Sequence, residues 1–455
     1  MILNQTKKKL SGWSGFPNKQ TNVFFPSTLK EVIKLIKEKQ NLIARGNGRS
    51  YGDSSINENC TIDMRNFNKL KSFDSNSGIL IAEAGVVLED IIKTFLPKGW
   101  FPYVTPGSKF VTLGGMVACD VHGKNHHKEG SFSNYIEWIE LINNEGNLIR
   151  CSDNENSDLF KWTIGGMGLT GIISTVSIKL RSIETSFIKQ TKIATKNINE
   201  TIEIFENTLD ATYSVAWIDC LNHNIEGVGR SIIMLGEHAN YNELDTLDKK
   251  KPLIIKEKKK KSIIIYFPEW FLNNWIMKVF NSVYYFFLSK SKKNNLIYWD
   301  DYFYPLDGIN DWYKIYGKKG FIQFQCVIPL DNSKKGLTEI LNYLSKTKVA
   351  SFLSVLKRFG KQESNFSFPT EGYTLALDFP IKDNIFTILD RLDEIAVKYG
   401  GRFYLAKDSR VNKKVFKESD PRVNKFINFR KKNNLDSNFN SLQSNRLEIC
   451  QQKLY

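Results

Sequence analysis

The stretch "ARGNGRSYGD", residues 44–53, follows a short apolar run that predicts a strand, and its glycines are spaced Gly46-x-Gly48-x-x-x-Gly52. A dinucleotide-binding unit of the Rossmann type requires G-x-G-x-x-G followed directly by a helix. Here the last glycine comes one residue later, and "DSSINENC" does not predict an amphipathic helix. Two interpretations therefore stay open: a tight turn between strands, or a loop whose successive backbone N–H groups bind phosphate.

Two further glycine-rich stretches follow, "TPGSKFVTLGGMVACDVHGKNHHKEGSF" (105–132) and "TIGGMGLTGII" (163–173). Each adjoins a predicted strand. Glycine allows a backbone to approach a ligand closely. A single phosphate needs only one such loop, so three loops predict an extended, phosphate-bearing ligand lying along one domain.

The second stretch also contains His122, His126 and His127. No cysteine pair or carboxylate pattern accompanies them, so we predict no metal site. Exposed loop histidines and a histidine at the reactive edge of the ligand both remain possible interpretations.

The order of predicted elements indicates an α+β protein. The clearest helix is "PSTLKEVIKLIKEKQ", where Thr28 and Glu31 form a capping box. Strands and helices alternate to about residue 180, which predicts one domain. From 187 to 400, strand-like runs and helices predict a second domain with an antiparallel sheet.

Composition excludes several classes of protein. Hydrophobic residues make up 41% and aromatic residues 13% of the 455 residues, which excludes wholesale disorder. The net charge of +16 favours anionic partners. However, the charge is spread along the chain, so we expect no nucleic acid partner. The cysteines form no C-x-x-C pair, which is typical of separate thiols in a reducing compartment.

One segment bears on interaction with membranes. In residues 249–293, lysines flank an aromatic-rich apolar run. Pro268 and Glu269 argue against a spanning helix, and neither a signal peptide nor a long apolar stretch is evident. The segment is either an element lying on an anionic membrane surface or a mobile lid with a solvated charged face. We expect a cytoplasmic protein, with peripheral membrane attachment left open.

Together, the three glycine stretches resemble the FAD-binding half of the vanillyl-alcohol-oxidase/p-cresol-methylhydroxylase (PCMH) superfamily. Within it, the chain is similar to the decaprenylphosphoryl-β-D-ribose 2′-oxidase family, and more distantly to D-arabinono-1,4-lactone oxidases. The similarity continues through "GFIQFQCVIP", "SFLSVLKRFGK", "LDFPIKD" and "GGRFYLAKDSRV". The combination of "ACDVHGKNHH" with "AKDSR" is its most specific part.

This resemblance implies a two-domain fold of the PCMH type. Residues 1–185 would form the FAD-binding domain, and 186–403 the substrate or cap domain, with an antiparallel sheet and an insertion at 245–295. Residues 404–455 would return to the FAD-binding domain.

The resemblance further implies FAD as the cofactor. Residues 46–52 and 112–119 would hold its pyrophosphate, and 165–172 would lie along its adenine and ribose. Members with covalently attached FAD carry histidine where this chain has Arg49, so we expect non-covalent FAD. The implied FAD-binding residues are Arg45, Gly46, Asn47, Gly48, Arg49, Ser50, Tyr51, Gly107, Thr112, Gly114, Gly115, Ala118, Cys119, His122, Gly123, Asn125, Gly168, Gly171, Ile172 and Lys407.

The implied reaction is oxidation of the 2′-hydroxyl of a polyprenyl-phosphoryl pentose to a ketone, by hydride transfer to flavin. A separate NAD(P)H-dependent reductase would complete an epimerisation that serves cell-envelope polysaccharide synthesis. The alternative is a soluble sugar-lactone or alditol oxidase that uses oxygen.

The resemblance also implies roles for individual residues. Lys407 and His122 would be catalytic. Lys407 would polarise the substrate hydroxyl or the flavin, and His122 would be an alternative base or a flavin contact. The substrate-pocket positions are Trp217, Gln323, Gln325 and Lys357. Many close relatives carry cysteine at the position of Ala376, a difference that concerns thiol-directed ligands rather than hydride transfer.

Overall fold

The computed structural model describes residues 4–256, 261–268, 270–291, 293–347, 349–382 and 384–450. Glu269 and part of the lysine-rich run of 249–293 lie outside these residues. Within them, the chain forms three principal β-sheets of four, six and eight strands, with helices packed against them. The α+β class expected from the sequence is confirmed.

The first sheet has the strand order β1-β2-β4-β3. Its strands are β1 (Gln5–Ser11), β2 (Asn18–Phe24), β3 (Leu42–Arg45) and β4 (Cys60–Asp63), and helix α1 (Leu29–Glu38) connects β2 to β3. The first glycine stretch begins where β3 ends, and the next element is β4. Because no helix lies between these two strands, which the structure describes in full, the stretch is not a Rossmann loop.

The predicted cap of α1 is present with one difference. The Thr28 side chain accepts a hydrogen bond from the Glu31 backbone N–H at 3.3 Å. The Glu31 carboxylate, in turn, accepts from the backbone N–H of Ser27 at 2.7 Å. In a regular capping box that second bond would come from Thr28 itself.

The second sheet has the order β5-β6-β10-β8-β9, and β7 pairs with β10. Its strands are β5 (Leu70–Asp74), β6 (Ile79–Glu83), β7 (Trp100–Pro102), β8 (Ile136–Ile142), β9 (Leu148–Cys151) and β10 (Ile172–Ser182). The helices of this region are α2 (Leu88–Phe95), α3 (Leu113–Ala118), α4 (His126–Glu129) and α5 (Ser157–Thr163). The second glycine stretch connects β7 to β8, and the third leads from α5 into β10.

The third sheet has the order β17-β11-β15-β12-β20-β21-β19-β22. The remaining strands are β11 (Phe187–Thr195), β12 (Tyr213–Ile218), β13 (His223–Asn224), β14 (Gly227–Val228), β15 (Ser231–His238), β16 (Lys261–Ser262), β17 (Asn294–Tyr298), β18 (Ile309–Asn310), β19 (Phe321–Pro329), β20 (Ser354–Phe359), β21 (Gly372–Pro380) and β22 (Arg402–Phe403). All strand pairs of the third sheet are antiparallel, as predicted for 187–400.

Helices cover the third sheet and continue to the end of the described chain. They are α6 (Ile198–Asn207), α7 (Asn274–Lys290), α8 (Trp299–Phe303), α9 (Leu330–Thr347), α10 (Ile385–Lys398), α11 (Lys413–Ser419), α12 (Arg422–Lys432) and α13 (Leu442–Arg446). Helices α9 and α10 bury Leu337, Ile340 and Leu389 in the core that covers one side of the sheet.

The C-terminal segment packs against the third glycine stretch. The ring of Trp162 stacks on Phe426 at 5.4 Å between centroids. The fully buried Arg430 donates a hydrogen bond to the carbonyl of Leu169 at 3.1 Å. These contacts hold the stretch between β9 and β10 in a fixed position.

The same segment also fixes the end of the first glycine stretch. The Arg446 guanidinium binds Asp53 at 2.9 Å and Asp408 at 2.8 Å. Both carboxylates are buried. Arg446 therefore joins the last residue of "ARGNGRSYGD" to the residue that follows Lys407.

Replacement of Arg446 by alanine leaves two buried carboxylates without their counterion. We expect Arg446→Ala to lower the free energy of unfolding by about 2–4 kcal/mol. The measurement is urea denaturation of the FAD-loaded protein. Arg391→Ala, which removes an exposed ion pair with Glu394, should change the free energy by less than about 0.5 kcal/mol. Equal midpoints for the two variants would contradict the role of Arg446.

Candidate active site

The first glycine loop presents a row of free backbone donors. In the described part of the chain, the N–H groups of residues 47–50 donate to no protein acceptor. Gly48 has φ +63°, in the left-handed region. Consecutive N–H groups around such a residue converge on one point and form an anion-binding nest. This geometry favours the phosphate-binding interpretation over the tight turn.

The polar side chains of this loop contact the protein around it. Arg45 donates to the carbonyl of Ser11 at 2.8 Å, and Asn47 donates to the carbonyl of Phe110 at 2.8 Å. The Arg49 guanidinium lies over the Trp13 ring at 4.1 Å, and its Nε has no partner among the described residues. Burial lowers the pKa of both arginines, that of Arg45 to about 10, and both groups remain cationic at neutral pH.

The second glycine stretch contributes open backbone beside the first. A Cβ placed on Gly107 would meet no described atom within 4 Å, and one on Gly115 would meet only the Thr112 hydroxyl at 3.1 Å. Gly114 differs, because a Cβ there would press against Ala84. Gly107 and Gly115 therefore leave room for a ligand, whereas Gly114 is required by packing within the protein.

Other predicted contacts of the second stretch serve the loop itself. The Asn125 amide donates to the carbonyl of Tyr103 at 2.7 Å and also contacts Glu129. A Cβ on Gly123 would strike the Asn125 side chain. His126 contacts Gln362 at 2.6 Å, and His127 contacts the carbonyl of Ala211 at 2.7 Å. Each of these two histidines has its own protein partner.

The third glycine stretch is open at one position. A Cβ on Gly168 would meet only the Ile43 side chain, at 3.6 Å. Gly171 instead packs against the Ile142 carbonyl and Leu141 in the neighbouring strand. The Ile172 side chain is fully buried in a core cluster, so only its backbone could contact a ligand. Ala118, in the second stretch, accepts at its backbone carbonyl a hydrogen bond from the Met167 N–H of the third stretch at 2.8 Å.

The three stretches together fit FAD. The nest at residues 47–50 suits its pyrophosphate, and the open backbone at Gly107, Gly115 and Gly168 provides the space that a long, flat ligand requires. The unpaired Arg49 Nε supplies a cation beside the nest. The groups of the first stretch that could hold FAD are Arg45, Gly46, Asn47, Gly48, Arg49, Ser50 and Tyr51.

Lys407 lies where the first glycine loop meets the third sheet. Its ammonium sits 3.5 Å from the centroid of the Tyr51 ring. Burial lowers the pKa of Lys407, while the negative charge of Asp378 acts in the opposite direction. Burial also raises the pKa of Asp378, against the stabilising hydrogen bond from Gln323 and the charge of Lys407. Burial thus disfavours the charged form of both groups, and the charge of each favours the charged form of the other.

His122 lies next to this pair in an aromatic pocket. Its ring is 4.7 Å from Phe359 and 4.9 Å from Tyr404, measured between centroids. The Gln325 amide lies 3.3 Å from His122 Nε2, and the same amide donates to Thr374 at 3.2 Å. With Nε2 as acceptor, the proton of the neutral ring resides on Nδ1, which has no partner in the described chain. Burial holds the pKa of His122 well below its usual range, and the positive charge of Lys357 lowers it further.

Strand register brings all four predicted substrate residues to one face of the third sheet. Gln323 pairs with Asp378, and Gln325 pairs with Ala376. The paired residues of neighbouring strands share a face, and the same rule places Lys357 beside Thr374 and Trp217 beside Val355. Lys407 and His122 approach this face from two loops.

Lys357 on this face and Lys124 lie close enough for their charges to interact. Burial lowers the pKa of Lys357 to about 8, and its ammonium has no carboxylate partner within the described residues. Lys124 contacts the carbonyl of Tyr302, and burial followed by the charge of Lys357 lowers its pKa to about 7. Two neighbouring lysines without a carboxylate suit an anion such as a phosphodiester.

Sequence reasoning assigned no role to Asp378 or Lys124. A usable signal for Asp378 existed, because polar residues at two-residue spacing interrupt the apolar strands β19 and β21. Cys119 was assigned to FAD, and its thiol lies 3.8 Å from the Ser50 hydroxyl. Burial raises the pKa of this thiol to about 11, so it stays protonated.

Comparison with known proteins agrees with this site. Residues 21–152 match the family described as an FAD binding domain. The chain is 32% identical over 454 residues to decaprenylphosphoryl-β-D-ribose oxidase of Mycolicibacterium smegmatis, which covers 98% of each protein. Shorter similarities include L-gulonolactone oxidase of Mus musculus, 24% identical over 38% of this chain and 40% of that enzyme. Cytokinin dehydrogenase 9 of Oryza sativa subsp. japonica is 33% identical over 30% of this chain and 27% of its own length.

The FAD-binding match, the glycine cradle and the full-length similarity point to one assignment. The chain is an FAD-dependent oxidoreductase of the PCMH type, and it belongs to the decaprenylphosphoryl-β-D-ribose oxidase family.

Proposed function

We propose that this enzyme oxidises the 2′-hydroxyl of a polyprenyl-phosphoryl pentose to a ketone. The observation that carries the proposal is the Lys407 ammonium, which lies on the Tyr51 ring where the glycine cradle meets the polar face of the third sheet. This arrangement combines a proton-transfer group, a cofactor site and a polar pocket with two lysines. The reaction is the first half of an epimerisation that serves cell-envelope polysaccharide synthesis, and a separate NAD(P)H-dependent reductase reduces the keto sugar.

The proposal includes the two-domain arrangement. Residues 1–185 hold FAD, 186–403 form the substrate side with the insertion at 245–295, and 404–455 return to the FAD side. Two contacts of the C-terminal segment support this division, the bond of Arg430 to Leu169 and the ion pair of Arg446 with Asp53.

Bound FAD supplies the hydride acceptor, and the side chains manage the proton and the orientation of the substrate. Lys407 accepts the proton of the 2′-hydroxyl or polarises that hydroxyl. Its lowered pKa makes the neutral amine accessible near neutral pH. The negative charge of Asp378 favours the protonated form of Lys407. The free Nδ1–H of His122 would donate a hydrogen bond to an oxygen of the bound flavin or sugar, which favours the contact role of His122 over that of a base.

Gln323, Gln325 and Trp217 orient the pentose, and Lys357 with Lys124 holds the phosphate. Arg49 occupies the position that carries the attachment histidine in covalent flavoproteins, so the FAD is dissociable. A sugar-lactone or alditol oxidase activity is less well supported for two reasons. Its substrates carry no phosphate for Lys357 and Lys124 to bind. The similarity to L-gulonolactone oxidase covers only 38% of the chain.

Removal of the Lys407 amine should abolish substrate oxidation without loss of the cofactor. Lys407→Ala should retain FAD but reduce the rate of flavin reduction by polyprenyl-phosphoryl ribose about 10²–10⁴-fold, the range expected for loss of a general acid–base group. Anaerobic stopped-flow absorbance measures this rate. Lys398→Ala, at an exposed lysine paired with Glu339, is the matched control. A normal rate for Lys407→Ala would remove Lys407 from the mechanism.

The lowered pKa of Lys357 predicts a dependence of substrate capture on pH. The cation that attracts the phosphate is present below pH 8 and is lost as the pH rises through about 8, so kcat/KM should fall there. Lys357→Arg keeps its charge at high pH and should move this fall to higher pH. Lys413→Arg, at an exposed ion pair with Glu448, should leave the profile unchanged. An identical alkaline limb in Lys357→Arg and the parent enzyme would show that Lys357 does not hold the phosphate.

We further propose that the enzyme attaches to a membrane surface, since the substrate carries a lipid chain. In the part of the chain that the structure describes, no helix has both the length and the apolar character needed to cross a bilayer. We propose that a surface element provides this attachment.

A further inference from the structure

Helix α7 and the residues before it expose an unusual amount of apolar surface. Of the sixteen exposed large apolar side chains in the described chain, ten lie between residues 264 and 287. They include Trp275, which is 72% exposed, and Phe287, which is 67% exposed. Monomeric proteins rarely leave contiguous apolar patches of this kind without a binding function.

Five of these side chains form a stripe on one side of α7. Trp275, Val279, Val283, Phe286 and Phe287 recur at helical spacing and are all exposed. We call these five residues the apolar face of α7.

The opposite side of α7 is fixed to the third sheet. Met277 and Asn281 are buried, and the Asn281 amide donates to Asp219 at 2.7 Å. The Tyr285 hydroxyl donates to the carbonyl of Thr195 at 3.2 Å. The helix is therefore held with its apolar face outward.

Charge identifies the partner of this face. Residues 249–293 contain 12 lysines and 2 glutamates. The ammonium of Lys290 lies 4.0 Å from the ring centroid of the exposed Phe286. Exposed aromatic rings with lysines around them match the boundary between the headgroups and acyl chains of an anionic bilayer. A second copy of the same face would bring lysine against lysine.

The inner side of α7 leads directly to the candidate active site. The Tyr284 ring contacts Trp217 at 4.8 Å, and Phe280 contacts Phe352 at 5.9 Å. Phe352 in turn contacts Tyr316 at 6.0 Å, and the Tyr316 hydroxyl donates to Asp378 at 3.3 Å. Helix α7 thus lies between the polar face of the third sheet and the outward-facing apolar surface.

We propose that the apolar face of α7 docks on the surface of an anionic membrane and thereby holds the substrate side of the enzyme close to the lipid. The polyprenyl chain of the substrate then remains in the bilayer while its sugar reaches Lys407. The second part of this inference rests on the proposed function, whereas the docking itself does not.

The docking is tested by co-sedimentation of the full-length, FAD-loaded protein with vesicles of phosphatidylglycerol and phosphatidylcholine. Phe286→Ser/Phe287→Ser should weaken binding about tenfold or more, because two rings leave the lipid boundary. Both side chains are exposed, so the variant should fold. Leu148→Ser/Leu209→Ser removes two exposed leucines outside the segment and should bind like the parent. Binding of the parent should fall in pure phosphatidylcholine and at high salt.

Several outcomes would overturn the docking proposal. These are absence of vesicle binding by the parent protein, unchanged binding by the phenylalanine variant, and a parent dimer that the variant converts to a monomer. The last result would assign the face to a second copy of the chain.

Flavin reduction separates this proposal from the proposed function. With a short-chain polyprenyl-phosphoryl ribose in detergent, the phenylalanine variant should reduce its flavin at the parent rate. With a long-chain substrate in vesicles, it should be about tenfold or more slower. Loss of vesicle binding in the phenylalanine variant only, together with no flavin reduction in the parent protein by either substrate, would refute the proposed function and leave the docking intact.

Discussion

The ion pairs of Arg446 determine how the cofactor cradle and the catalytic lysine are held together. One guanidinium binds Asp53, the last residue of the first glycine stretch, and Asp408, the neighbour of Lys407. The Tyr51 N–H also donates to the carbonyl of Ala406 at 2.8 Å. A loop near the start of the chain and a loop near its end thus form one rigid unit. Because burial makes unpaired carboxylates costly, this connection tolerates little movement.

The second constraint is the register of the third sheet. Side chains alternate between the two faces of a strand, so a slip of one residue would turn Gln323, Gln325 and Asp378 into the opposite core. The register instead aligns them with Lys357 and Trp217 on one face. Helix α7 covers that face with its inner side and presents aromatic rings outward. The same sheet therefore positions both the polar pocket and the surface that we propose contacts lipid.

Local sequence patterns predicted much of the fold and of the candidate site. The remaining features depend on contacts between residues far apart in the sequence. Spacing and the missing helix excluded a Rossmann loop at Gly46–Gly52, and the structure shows free N–H groups there. The antiparallel third sheet followed from strand-like runs in 187–400. By contrast, the partner of Asp53 lies 393 residues away in sequence, and nothing near either residue indicates the pair. The resemblance assigned Gly114 and Gly171 to FAD. In the structure, both lie where the backbone packs closely against a neighbouring segment, so a side chain would not fit. Glycine spacing alone does not distinguish close packing from contact with a ligand.

In the proposed reaction, Lys407 and the polar face beside it act on a lipid-linked pentose. The most direct test mixes the oxidised, FAD-loaded enzyme anaerobically with polyprenyl-phosphoryl ribose, and separately with L-gulonolactone and an alditol, and follows the flavin absorbance through a single turnover. We predict rapid bleaching by the lipid-linked ribose, formation of its 2′-keto product, and no bleaching by the lactone or the alditol. Rapid bleaching by the lactone or alditol, with an unreactive lipid-linked ribose, would contradict the account.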